Sequence, residues 1–161
     1  MATAEEINGV IDLIIDKMRD NISSLGGSAE SMIIEGDEEP TYLERYPGFT
    51  GFPIFFVVPL GAGGDSMKQS MSTPDLIHTF KVTIIGFYKD YTVEGSLRST
   101  RNYGYNLIDL FTSPHNHLTG DSCAAYIIDP VLQCGYWRVS DYIIHDWIAT
   151  LTIKTKTGGS H

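Results

Sequence analysis

Three places in this chain carry residue types able to do chemistry. The first is "GAGGDSMKQSMSTPD", residues 61–75, which follows the apolar run "FPIFFVVPL". A glycine loop after a strand can cradle a phosphate on its backbone amides, but a P-loop needs lysine and a hydroxyl residue straight after its last glycine. Here Gly64 is followed by Asp65 and Ser66, and Lys68 comes too late. The dinucleotide pattern GxGxxG has Ser66 where its third glycine belongs. Both patterns also need a helix to begin at the loop, whereas Pro74 leads into a strand-like run. The stretch reads instead as an arm that orders against a partner. Its candidate assembly contacts are Gly63, Gly64, Asp65, Met67, Lys68 and Met71, with the glycines as hinges and the methionines as adaptable apolar contacts.

The second place is His115-x-His117, a spacing open to a metal if a third ligand comes from Asp121 or Cys123. Zinc sites show three or four converging ligands, and two histidines in a polar turn are ordinary loop residues. His78 and His145 fall on or beside apolar strand faces, where a hydrogen-bonded structural role is the simpler reading. The third place is the cysteine pair. Cys123 and Cys134 form no CxxC, and if the segment between them is a hairpin turning at Asp129-Pro130, they are diagonal neighbours at best, so both are expected reduced. There is no G-x-S-x-G elbow, and neither cysteine opens a recognisable helix. The expectation is a protein without catalytic set, cofactor or metal.

The elements that position these residues are legible from periodicity. Thr3 and Glu6 have capping-box spacing, and Ile7, Val10, Ile11, Ile14, Met18 and Ile22 follow at helical intervals to a stop at Gly26-Gly27. "SMIIE" is a short strand, and "PIFFVVPL" a buried one. "LIHTFKVTIIGFYK" alternates Phe80, Val82 and Ile84 with Thr79, Lys81 and Thr83, as an antiparallel strand with one dry face does. A second helix, capped by Ser96, runs to Ser113-Pro114 with Gly104 in its interior, where a close helix–sheet contact is expected. The hairpin and "DYIIHDWIATLTIKTKT" complete the chain. The fold class expected is α+β: a mostly antiparallel twisted sheet with two helices packed on one face and long inter-strand loops at 36–52 and 60–75. Residues 1–157 form a single domain, and 158–161 a flexible tail.

Composition agrees. At 161 residues, 42% apolar and 11% aromatic, the chain supports one core. Its longest apolar runs are strand-sized, too short to span a bilayer. The N-terminus puts acids where a signal peptide has bases. The net charge is −9, and residues 1–48 hold eleven acids against Lys17, Arg19 and Arg45. An acidic chain is ill suited to gripping nucleic acid, whose binding rests on phosphate neutralisation. Glu35, Asp37, Glu38 and Glu39 are the candidates for an acidic functional surface.

The order of elements resembles the tail terminator (tail completion) and neck proteins of long-tailed bacteriophages. The likeness runs through the N-terminal helix "EEINGVIDLIIDKM" and the strand and loop "FFVVPLGAGGDSMKQSMSTPD". It continues in the strand-to-helix passage "HTFKVTIIGFYKDYTVEGSLRSTRNYGYNLIDLF" and the closing strand "DWIATLTIKTKT". The resemblance implies a non-enzymatic, hexameric homo-oligomeric ring at the head-proximal end of the tail, capping the tube. Its implied partners are its own copies, tail tube and sheath proteins, and neck or connector proteins, with DNA passing unbound through an acidic lumen. Assembly in the host cytoplasm and a place in the virion follow from it. Two alternatives stand beside this reading: another neck, connector or baseplate part, and a small metal-dependent hydrolase built on His115 and His117.

Overall fold

The computed structural model describes residues 4–27, 32–36, 53–59, 68–69, 76–90, 97–120, 124–139 and 142–157. In chain order these form helix α1 (Ala4–Asp20), a 3-10 turn (Ile22–Leu25), β1 (Met32–Glu35), β2 (Ile54–Pro59) and β3 (Lys68–Gln69). Then come β4 (Leu76–Asp90), α2 (Leu97–Asp109), β5 (His117–Thr119), β6 (Ala124–Val139) and β7 (Tyr142–Thr157). The class is α+β. All strands join one mixed sheet of order β1-β2-β4-β7-β6-β5, with β3 pairing β4 beside that path. Only β1 and β2 run parallel; the other pairs are antiparallel.

The long central strands carry the architecture. β4 and β7 pair without interruption from Leu76↔Thr157 to Asp90↔Ile143. Their alternation sends Phe80, Val82, Ile84, Trp147, Ala149, Leu151 and Ile153 into one core, shared with Phe55 and Val57 of β2. Val10, Ile11, Ile14 and Met18 of α1 and Leu107 of α2, with Phe111 just beyond it, complete that core, and each of these side chains is at least 99% buried. The intervening residues are not uniformly polar. Ile54, Phe56, Phe87 and Ile144 form a second apolar cluster with Ile34, Val58 and Ile85. β2 is therefore dry on both faces, which explains why its sequence is a continuous apolar run rather than an alternation.

Two glycines set how closely α2 approaches the sheet. A Cβ on Gly104 would stand 2.6 Å from Cδ1 of Trp147 and 2.8 Å from Sγ of Cys134. A Cβ on Gly86 of β4 would stand 2.6 Å from Cε3 of the same indole. The expected helix–sheet contact at Gly104 is thus present, and its partner is Trp147. At the other end of the helical layer the 3-10 turn closes on Gly26 at φ 84°, whose amide reaches the Ile22 and Ser23 carbonyls. The ring of Tyr103 on α2 lies over this glycine, and Asn106 donates to the Ser24 carbonyl at 2.8 Å.

Two expectations change. Asp129-Pro130 is not a hairpin turn: β6 runs through it as one strand, paired with β7 on both sides of an irregularity between Ile128 and Val131. Asp129 takes the left-handed conformation, φ 47°, that aspartate tolerates better than most residues. Proline is admissible because it falls inside that irregularity, where neither Asp129 nor Pro130 has a register partner on β7. Cys134 consequently lies opposite Trp147 of β7, not diagonal to Cys123 across a hairpin. In addition, the segment 60–75 is not strandless, since Lys68 and Gln69 pair with Thr79 and His78. The proposed caps Thr3 and Ser96, the 36–52 loop and the tail at 158–161 lie outside the described residues.

Gly104→Ala tests the helix–sheet contact. Helix propensity alone favours alanine by about 1 kcal/mol, but overpacking against a buried indole costs about 1–3 kcal/mol. Net destabilisation in urea unfolding is expected, reduced when Cys134→Ala is added.

Candidate functional site

The densest gathering of chemically versatile side chains lies where the first half of α2 crosses β6 and β7. Periodicity puts Cys134 and Tyr136 of β6 on the α2 side, opposite Trp147 and His145 of β7. Thr100 and Arg101 on α2 close over them, leaving a cavity of about 360 Å³ that is also lined by Gly135. Thr100, His145 and Trp147 are buried, whereas Arg101, Cys134 and Tyr136 are exposed, so the cavity has a fixed floor and an open mouth.

The floor is held by hydrogen bonds. The Trp147 indole N–H donates to the Thr100 carbonyl at 2.7 Å, and the Thr100 hydroxyl lies 3.3 Å from Nδ1 of His145. His145 also sits between the rings of Tyr88 and Tyr136, at 6.4 and 6.2 Å. The histidine is therefore the hydrogen-bonded structural residue expected from its apolar strand face. The thiol of Cys134 is free. Burial pushes its pKa up, the Asp146 carboxylate pushes it further, and Arg101 only partly opposes them. A nucleophilic cysteine needs the reverse, a stabilised thiolate.

The opposite side of the same strands carries Asp146. It faces Gly135, where a Cβ would come within 2.9 Å of its Oδ1. Burial raises its pKa above the ordinary carboxylate range, partly offset by a hydrogen bond from its own backbone.

A smaller polar cavity of about 270 Å³ lies between the end of α1 and the end of α2, lined by Lys17, Asn21, Ser24, Asn106, Asp109, Leu110 and His115. Lys17 donates to the His115 carbonyl and lies 5.6 Å from the centre of the Phe111 ring. Burial lowers its pKa. His117 opens β5 and packs beside Tyr126. No group of three or more His, Cys, Asp or Glu able to hold a metal occurs among the described residues, and Asp121 and Cys123 lie outside them.

Of the assembly candidates, Glu35 ends β1 and is exposed, and Lys68 lies in β3 opposite Thr79. Gly63, Gly64, Asp65, Met67, Met71, Asp37, Glu38 and Glu39 lie outside the described residues. Sequence reasoning missed the Thr100–His145–Trp147 cluster. Its one available signal was a polar histidine inside an apolar alternation, two residues from a tryptophan, combined with a helix glycine.

The sheet also ends openly. Beyond Tyr126, β6 pairs only with β7 among the described residues. Val131 and Tyr136 stand 54% exposed there, with Tyr105 of α2 at 57%. At the far end β1 pairs with β2 alone among the described residues. No helix among the described residues is long and apolar enough to cross a membrane.

No family model and no curated protein matches this chain. Among solved structures, a similar chain shares 15% identity over 89% of this chain and 94% of its own, with a TM-score of 0.45.

Asp146→Asn tests the half-buried carboxylate. Because its pKa is higher folded than unfolded, its ionisation costs stability above the folded value. That cost disappears below the unfolded carboxylate range, near 3.9. The substitution should raise the melting temperature at pH 7, by no more than about 2–4 °C given its exposure to solvent, and the gain should vanish towards pH 4.

Proposed function

We propose that this chain is a structural assembly protein, a ring-forming subunit of the phage tail terminator or neck type, working without catalysis. The observation that carries the reading is the outer side of β6 from Ile128 to Val139, which lacks a strand partner among the described residues. Unpaired strand edges are templates for pairing with another chain. A stable monomer is expected to cover or blunt so long an edge, and among the described residues the one feature that interrupts it is the Asp129-Pro130 irregularity at its start.

The chemistry at the neighbouring cavity supports the same reading. The thiol is held away from its reactive form, and the exposed tyrosines beside it are a residue type enriched in protein contacts. In this proposal the fold is a mostly antiparallel twisted sheet with both helices on one face, leaving the edges to meet neighbours. The acidic first third of the chain faces a lumen through which a duplex slides without being held. Tail tube, sheath and neck proteins are the remaining partners, and the virion is the location.

Native mass spectrometry and negative-stain microscopy of the purified chain test this. A closed homo-oligomer, six subunits in the form we propose, is the expected result. A protein that stays monomeric at micromolar concentration and never binds tail tubes overturns the reading.

A further inference from the structure

We infer that the subunits join head to tail: the edge of β6 that has no strand partner among the described residues pairs antiparallel with β1 of a second copy, and Arg101 of α2 and Arg138 of β6 meet Glu35 at the end of β1. The inference rests on the assembly reading above and names the surfaces that would carry it.

Strand direction is the first argument. β1 and β2 run the same way, β4 opposes them, β7 opposes β4 and β6 opposes β7. The two ends of the sheet therefore run in opposite directions. When copies are related by rotation about an axis along the strands, β6 of one copy meets β1 of the next antiparallel, the more stable pairing. An interface between unlike edges is heterologous, and closes into a ring when the rotation permits.

Charge is the second argument. Arg101 lines the mouth of the cavity beside Tyr136. Arg138 is two residues along β6 on the same side of the sheet, and both are exposed. Arg98 is exposed one turn earlier on α2. At the opposite edge, Ile33 packs against the helix-side core and Ile34 against the second cluster. Alternation then turns exposed Glu35 to the helix side. A sheet continued from copy to copy keeps its faces, so Glu35 arrives on the face that carries Arg101 and Arg138.

Length is the third. β1 spans four residues, Met32–Glu35, which fits the stretch of β6 beyond the bulge, Val131–Val139, without displacing β5.

The test is charge exchange, read by sedimentation velocity. Arg101→Glu with Arg138→Glu should raise the concentration for half-assembly roughly tenfold or more, because like charges then face each other. Glu35→Lys should do the same. Mixing the two variants should restore assembly, as alternating copies recreate opposite charges at every junction. If both variants assemble as the native chain does, the edge pairing is overturned while the ring reading stands. A mixture that stays dissociated, although each variant keeps its native circular dichroism, also overturns the pairing. If either variant fails to fold, the native assembly is titrated with salt. Charge pairing requires it to weaken as salt rises, and indifference overturns the inference. A native chain that is monomeric throughout overturns the assembly reading itself.

Discussion

The buried indole of Trp147 is the constraint on which much of this arrangement depends. It lies at the centre of β7, 2% exposed, stacked on Phe55 at 5.9 Å and met edge-on by Tyr103 at 6.5 Å. Its N–H needs a partner once water is excluded, and the Thr100 carbonyl supplies it. That bond ties the first half of α2 to β7. With α2 so placed, Gly104 must come against the ring, Thr100 must reach His145, and Arg101 must hang over the mouth of the cavity.

The polar groups of this region are therefore spent on geometry. A histidine, a threonine and a tryptophan, which elsewhere could serve a reaction, here satisfy one another or the backbone. The thiol beside them is pushed towards its neutral form. Two hydrogen bonds and burial leave the Thr100–His145–Trp147 group few alternative arrangements.

Much of this fold was legible in the sequence. The 3.6-residue spacing of Val10, Ile14 and Met18 announced α1, the alternation Phe80, Val82, Ile84 announced β4, and Gly104 announced a close approach. What failed did so for identifiable reasons. Asp129-Pro130 is a strong turn signal, but it acts locally, and whether it makes a turn or a bulge is decided by the pairing of β6 with β7 over the whole length of both strands. The parallel placement of β1 beside β2 follows from a crossover that short-range periodicity does not register. The candidate site was the least legible part. Thr100, Cys134, His145 and Trp147 are spread over three elements, and nothing in their separate sequence contexts says that they meet.

The two-sided burial of β2 has a consequence for how the molecule breathes. Ile54, Phe55, Phe56 and Val57 are covered above and below, so wetting β2 requires parting both apolar clusters. Past the bulge in β6, Val131, Gln133, Cys134, Gly135, Tyr136 and Arg138 are exposed, and among the described residues one edge of the strand has no partner. Local opening needs less free energy there than at the centre. Deuterium would thus enter β6 past the bulge sooner than it enters β4 and β7, each of which has strand partners on both sides. The part of β6 that opens readily is the same part that, among the described residues, presents an unpaired edge.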